Sequence, residues 1–205
     1  MKRLDWRAFA ALGVLAVILH FLASSPGVQG VIYLTVGAAG VLAVVVGIRR
    51  HRPAPAYPWY LFAAGLLLFL IGDGFFYFYK LVRHVERPFP SLADAFYLAS
   101  YPVLIAGLLG LIRRRIPGGD RPSLIDASII ATGMALLWEL FLIAPFLASP
   151  DTPWLERAIS AAYPVADVAL LAVALRLAVG AGSRVASFLF VGLGISSLLA
   201  ADIVY

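Results

Sequence analysis

Asp73, Glu139, Asp167 and Asp202 interrupt long apolar runs, and Asp94 and Asp126 stand near the ends of two others. A charged side chain at the centre of a membrane helix costs about 2.5–3.5 kcal/mol on insertion scales. A chain that keeps several has a use for them. No Lys or Arg sits deep enough in these runs to pair with the central acids. What remains to them is a proton, a donor from Tyr, Ser, Thr or Trp, or contact with water. Tyr77, Tyr97, Tyr101, Tyr163 and Tyr205 fall at a depth similar to Asp73, Asp94 and Asp202. Two chemistries fit these residue types. In one, Asp73, Asp94, Tyr97, Tyr101, Tyr163, Asp167 and Asp202 line a polar pocket in the outer half of the membrane that binds a cation or a cationic small molecule. In the other, plainer one, each carboxyl bonds a Tyr hydroxyl, or a free carbonyl beside Pro102 or Pro164, and fixes helix packing.

Other chemistries find no support. His20, His51 and His84 are far apart and there is no cysteine, so neither a metal site nor thiolate chemistry is expected. No HExxH, GxSxG, Walker loop or glycine-rich dinucleotide fingerprint occurs. No catalytic constellation and no cofactor are therefore expected, and the reading is of a non-enzyme. A retinal Schiff base needs a lysine inside the last helix. The only lysines are Lys2 and Lys80, which excludes a rhodopsin-like reading. Asp126 follows Ser123 by three residues, a spacing suited to a helix N-terminus and its positive dipole end.

The elements that must position these residues are apolar helices. The hydrophobic fraction is 62% and the charged fraction 13%, against about 45–50% and about 25% in an ordinary soluble domain. A spanning helix needs about 20 mostly apolar residues. Seven stretches meet or approach that, over residues 7–24, 28–48, 58–82, 93–112, 124–147, 157–179 and 185–205. Pro, Gly and charge separate them. The expected fold is all-α, a polytopic bundle of about seven transmembrane helices forming one domain over 1–205. The basic N-terminus is followed by an apolar run and small residues, but Pro26 and further apolar segments follow at once, so the first run is expected to stay as a helix rather than be cleaved.

The net charge of +5 reflects arginine clusters between apolar runs, a topology signal rather than a nucleic-acid footprint. Lys2, Arg3, Arg7, Arg49, Arg50, Arg52, Arg113, Arg114, Arg115, Arg121, Arg176 and Arg184 fall on one side. Lys80, Arg83, Arg87 and Arg157 fall on the other. The asymmetry places the N-terminus in the cytoplasm of a multi-pass cell-membrane protein.

The third run, LFAAGLLLFLIGDGFFY, echoes the seventh, FVGLGISSLLAADIVY, with Asp73 on Asp202 and Gly65 on Gly194. An offset of four helices keeps the membrane sense. It implies a parallel four-helix repeat whose eighth helix is missing, so the chain reads as cut in mid-protein. A shorter echo pairs Ala99–Val103 with Ala161–Val165. Gly65, Gly72, Gly107, Gly110, Gly192 and Gly194 permit close helix approach. Their spacing is not a clean GxxxG face, so packing within the chain is expected first; a homodimer remains open.

The stretch Pro88-Phe-Pro-Ser-Leu-Ala-Asp94-Ala-Phe-Tyr97-Leu-Ala-Ser-Tyr101-Pro102 resembles a segment in the membrane regions of certain bacterial signalling proteins. So do Leu124-Ile-Asp126 running to Trp138, Ala162-Tyr163-Pro164-Val-Ala-Asp167, and Ala201-Asp202-Ile-Val-Tyr205. In order, they look like the multi-helix N-terminal modules that precede GGDEF diguanylate cyclase, EAL phosphodiesterase or sensor-kinase domains, notably in actinobacteria. The resemblance covers residues 55–205. It implies a further helix and a cytoplasmic output domain, neither of which the sequence contains, and it carries no known binding residues.

The expectation is thus a membrane-embedded sensory or anchoring module of a bacterial signal-transduction protein. Its partners are the lipid bilayer and a small molecule or cation at the outer-half pocket. The alternatives are a small proton- or cation-coupled transporter and a structural subunit of a larger membrane complex.

Overall fold

A computed structural model describes residues 6–85, 89–115, 121–138 and 152–179, together with Leu193, Gly194 and Ser197. Among them are six helices and no strand. These are α1 (Trp6–Leu22), α2 (Pro26–His51), α3 (Tyr57–Leu81), α4 (Leu92–Arg115), α5 (Arg121–Trp138) and α6 (Trp154–Val179).

Four helices are long and apolar enough to cross a membrane, over Pro26–His51, Tyr57–Leu81, Leu92–Arg113 and Trp154–Leu177. The chain is thereby marked as a multi-pass membrane protein. The apolar stretches Ala8–Leu22 and Leu124–Leu136 are shorter. Of the seven expected helices, the part of the fifth beyond Trp138 and nearly all of the seventh lie outside the described residues, as does any test of the repeat.

Helix ends depart from the apolar runs for backbone reasons. α2 starts at Pro26 rather than 28, because a proline in the first turn gives up an N–H that has no partner there anyway. It continues through Arg49, Arg50 and His51, and α4 continues to Arg115. Arginine propagates a helix well and suits the negative end of its dipole, so hydropathy marks the edge of the apolar stretch and not of the helix. α5 begins at Arg121, which puts Asp126 beyond its first turn and exposed. The dipole role expected for Asp126 is therefore not met.

α4 is the centre of the bundle. It packs on α3 and on α6; α2 covers α3, α5 covers α6, and α1 packs on α2 alone among the described helices. Tyr101, Leu104, Leu108, Leu111 and Ile112 give α4 a buried face at helical spacing, met by Phe62 of α3, Trp138 of α5, and Leu170 and Leu177 of α6. Elsewhere large apolar side chains face outward. Phe9, Leu12, Leu15, Ile18, Leu19 and Phe21 of α1 are all exposed, a surface suited to lipid and not to water.

Lipid is as apolar as leucine, so close contact has to come from small residues. A Cβ on Gly72 would stand 2.6 Å from the Tyr97 ring, and one on Gly30 would stand 2.7 Å from the Tyr77 ring. Gly65 meets Leu104, Gly107 meets Pro58 and Phe62, and Gly110 meets Tyr57. Of the six glycines singled out in the sequence, these four, with Gly72 among them, bring α3 and α4 together. Gly194 has open space around it, and Gly192 lies outside the described residues. Gly30 and Gly37, which seat α2 against Tyr77 and Leu70 of α3, escape a reading of acid-bearing runs alone.

Candidate functional site

Pairing α3 with α4 antiparallel brings Asp73 to Tyr97, whose hydroxyl donates to Asp73 Oδ1 at 2.8 Å. Gly72, next in sequence to Asp73, leaves the room in which the Tyr97 ring lies. Phe69 packs on the same ring at 5.0 Å, and Phe75 stacks on Phe96, the residue before Tyr97.

Two further bonds join α4 to α6. Tyr163 donates to Asp94 Oδ1 at 2.7 Å, and Tyr101 donates to Asp167 Oδ1 at 2.7 Å. Both partners advance in the same direction along the chain, so α4 and α6 run parallel. The exchange is reciprocal: each helix gives one tyrosine and takes one with an aspartate. Asp94, Tyr97 and Tyr101 stand at i, i+3 and i+7 on α4, and Tyr163 and Asp167 at i and i+4 on α6, so each set shares one face. The Tyr163 hydroxyl lies within electrostatic reach of Tyr97, which links the Asp73–Tyr97 pair to the Tyr163–Asp94 pair.

Asp94 has a second task. Ser91 N–H donates to Asp94 Oδ2 at 2.7 Å, the Ser91 hydroxyl donates to the same oxygen at 3.2 Å, and Ala93 N–H donates to Ser91 Oγ at 3.2 Å. This is a capping box with aspartate in the third position, and it starts α4. The Ser91-Leu-Ala-Asp94 spacing is the sequence signature of that box. Both carboxylate oxygens of Asp94 are thus engaged, one by the local cap and one by α6.

The pairs differ in depth. Asp94 is in the first turn of α4. Asp167 is at the midpoint of the 26-residue α6, roughly 20 Å from either end at the α-helical rise. Tyr101 and Asp167 are 1% and 4% exposed, Asp94 7%, and Asp73 is half-buried. A hydroxyl that donates to a carboxyl serves it in either protonation state, since the neutral acid keeps a carbonyl acceptor and gains an O–H of its own. Each tyrosine of the cluster can therefore serve its acid whether that acid is charged or neutral.

Comparison with known protein families, with characterised proteins and with solved structures finds no match for this chain.

Six of the seven residues singled out by sequence are therefore in three Tyr–Asp pairs, and Asp202 lies outside the described residues, as does Glu139. Tyr77 is placed beside the cluster, its ring 5.9 Å from that of Tyr33, which in turn is 6.0 Å from His20. His20 closes the α1–α2 turn, with Nδ1 3.1 Å from the Gln29 carbonyl, while Gln29 Nε2 donates to the Ala23 carbonyl at 2.8 Å. Among the described residues no three His, Cys, Asp or Glu side chains gather as a metal ion would require.

Proposed function

We propose that this chain is a membrane-embedded sensory or anchoring module of a bacterial signal-transduction protein, with the α4–α6 clasp as the element that a signal biases. The observation that carries the reading is the reciprocal pair Tyr163→Asp94 and Tyr101→Asp167. Two of the four segments that resemble membrane regions of signalling proteins, Pro88–Pro102 and Ala162–Asp167, meet each other through these bonds. A sensor needs two arrangements of packed helices that a ligand binds with different affinity. A helix pair held by a few polar bonds in an apolar medium supplies such an element, because those bonds are made or lost as units.

In this proposal seven helices cross the cytoplasmic membrane, the arginine-rich ends face the cytoplasm with the N-terminus, and Asp73, Asp94 and Asp202 lie toward the outer half. The signal is a cation or a cationic small molecule that competes for the carboxylates of Asp73, Asp94 and Asp167. The module performs no catalysis itself. In the full-length parent, Asp94→Asn should change output at an unchanged membrane level. Unchanged output would remove the cluster from the signalling path.

One observation favours a second reading. A carboxyl at the middle of a candidate span, as Asp167 is, suits a proton- or cation-coupled transporter. Flux through liposomes containing the purified chain separates the two, since a sensor should carry nothing.

A further inference from the structure

The exposed arginines at the end of α2 lie at the opposite end of the bundle from the Tyr–Asp cluster and take no part in it. Arg49, Arg50 and His51 form the last turn of α2, and Arg52 caps it in the left-handed conformation (φ 43°), its N–H bonded to the Ile48 carbonyl at 2.9 Å. All four side chains are exposed. None has an ion-pair partner among the described residues.

One helical turn before Arg50 is Val46, and two turns before it is Leu42, 58% and 62% exposed. These three residues share one face at i, i+4 and i+8. That face is apolar along the span and cationic where the span ends. At the same level α3 begins with the exposed rings of Tyr57 and Tyr60, and α4 ends with the exposed Arg113. A phospholipid has the matching order of parts: acyl chains, then a glycerol ester zone that takes hydrogen bonds, then a phosphate.

We propose that this face selects anionic phospholipid from the bilayer, with acyl chains along Leu42 and Val46 and the phosphate held by Arg49, Arg50 and Arg52. Guanidinium groups bind phosphate oxygens in a bidentate fork. Basic clusters just beyond a membrane helix draw anionic lipid to the surface. A zwitterionic headgroup brings its own ammonium and gains less. Complementing the helix dipole accounts for one or two cations in the last turn and not for a third at the cap. Free phosphate has no use for Leu42 and Val46. The inference is independent of whether the chain signals.

The test uses the full chain in phosphatidylcholine bilayers with trace spin-labelled phosphatidylglycerol or phosphatidylcholine, reading the motionally restricted fraction of each. The wild-type chain should prefer phosphatidylglycerol about threefold, falling toward equality at about 1 M salt as the charges are screened. The combined R49Q, R50Q and R52Q variant should lose the preference, and the combined R49K, R50K and R52K variant should keep most of it. Equal association of both lipids with the wild-type chain overturns the proposal. So does a preference that survives high salt, a reading that needs no variant to insert correctly. Equal association together with copurification of an acidic soluble protein through the same arginines would assign the face to a protein partner instead.

Discussion

Tyr101 donates its hydroxyl to Asp167 across 2.7 Å at the midpoint of α6, with both side chains closed off from their surroundings. The two residues are 66 positions apart in sequence. Their bond ties the most buried stretch of α4 to the deepest carboxyl among the described residues, and it sets the terms on which the rest of the cluster is judged.

Replacing Tyr101 with Phe removes that donor while keeping the ring. Interhelical hydrogen bonds in membranes average about 0.6 kcal/mol and reach about 1.7 kcal/mol. Tyr101→Phe should fall at the upper end, because both partners are buried. Unfolding in mixed micelles with graded SDS measures it. Combining Tyr101→Phe with Asp167→Asn should cost less than the two single changes together, and strict additivity would show that the pair is not energetically coupled.

Tyr163→Phe should cost less than Tyr101→Phe, by about 0.5–1 kcal/mol. Asp94 keeps both Ser91 donors when Tyr163 loses its hydroxyl. In a Ser91→Ala background only the backbone donor remains, and the cost of Tyr163→Phe should rise. An unchanged cost would mean that the cap and the α6 bond do not share the carboxylate.

Gly72→Ala places a methyl against the Tyr97 ring and forces Tyr97 away from Asp73. Overpacking of this kind costs about 1–3 kcal/mol. Gly74→Ala, two residues on with nothing within 4 Å, is the control and should be nearly silent. Equal effects of the two would contradict the α3–α4 packing.

The chain has no cysteine, so single-cysteine labelling reads its topology without background. Arg52→Cys and Arg113→Cys should react with a membrane-impermeant maleimide from one side, and Arg83→Cys from the other. All three positions are exposed. Labelling of Arg52→Cys and Arg83→Cys from the same side would mean that α3 does not cross.

The helices were legible because an apolar run near 20 residues has few other uses, and the acids stood out because lipid makes them costly. Asp73, Asp94 and Asp167 could be gathered with Tyr97, Tyr101 and Tyr163 from depth alone. Which tyrosine meets which acid could not, since the pairs are 24, 69 and 66 residues apart and depend on how each helix is rotated about its axis. Periodicity shows that an apolar helix has a buried face only when its other face is polar, and in lipid both are apolar. The capping box at Ser91 and Asp94 was legible by spacing; the seats of Gly30 and Gly37 under α3 were not, because a small residue reveals nothing of the neighbour it admits. The arginine tails of α2 and α4 are not legible as helix from hydropathy, which reports the lipid boundary while hydrogen bonding sets the helix end.

All three tyrosine–aspartate bonds hang on two turns of α4, from Asp94 to Tyr101. Turning α6 about its own axis would undo two of them and leave Asp73 with Tyr97. Turning α4 would undo all three in one movement and free α3 and α6 together. Among the described helices α3 and α6 touch each other only through α4, so the central helix is placed as a common axle between its two flanks.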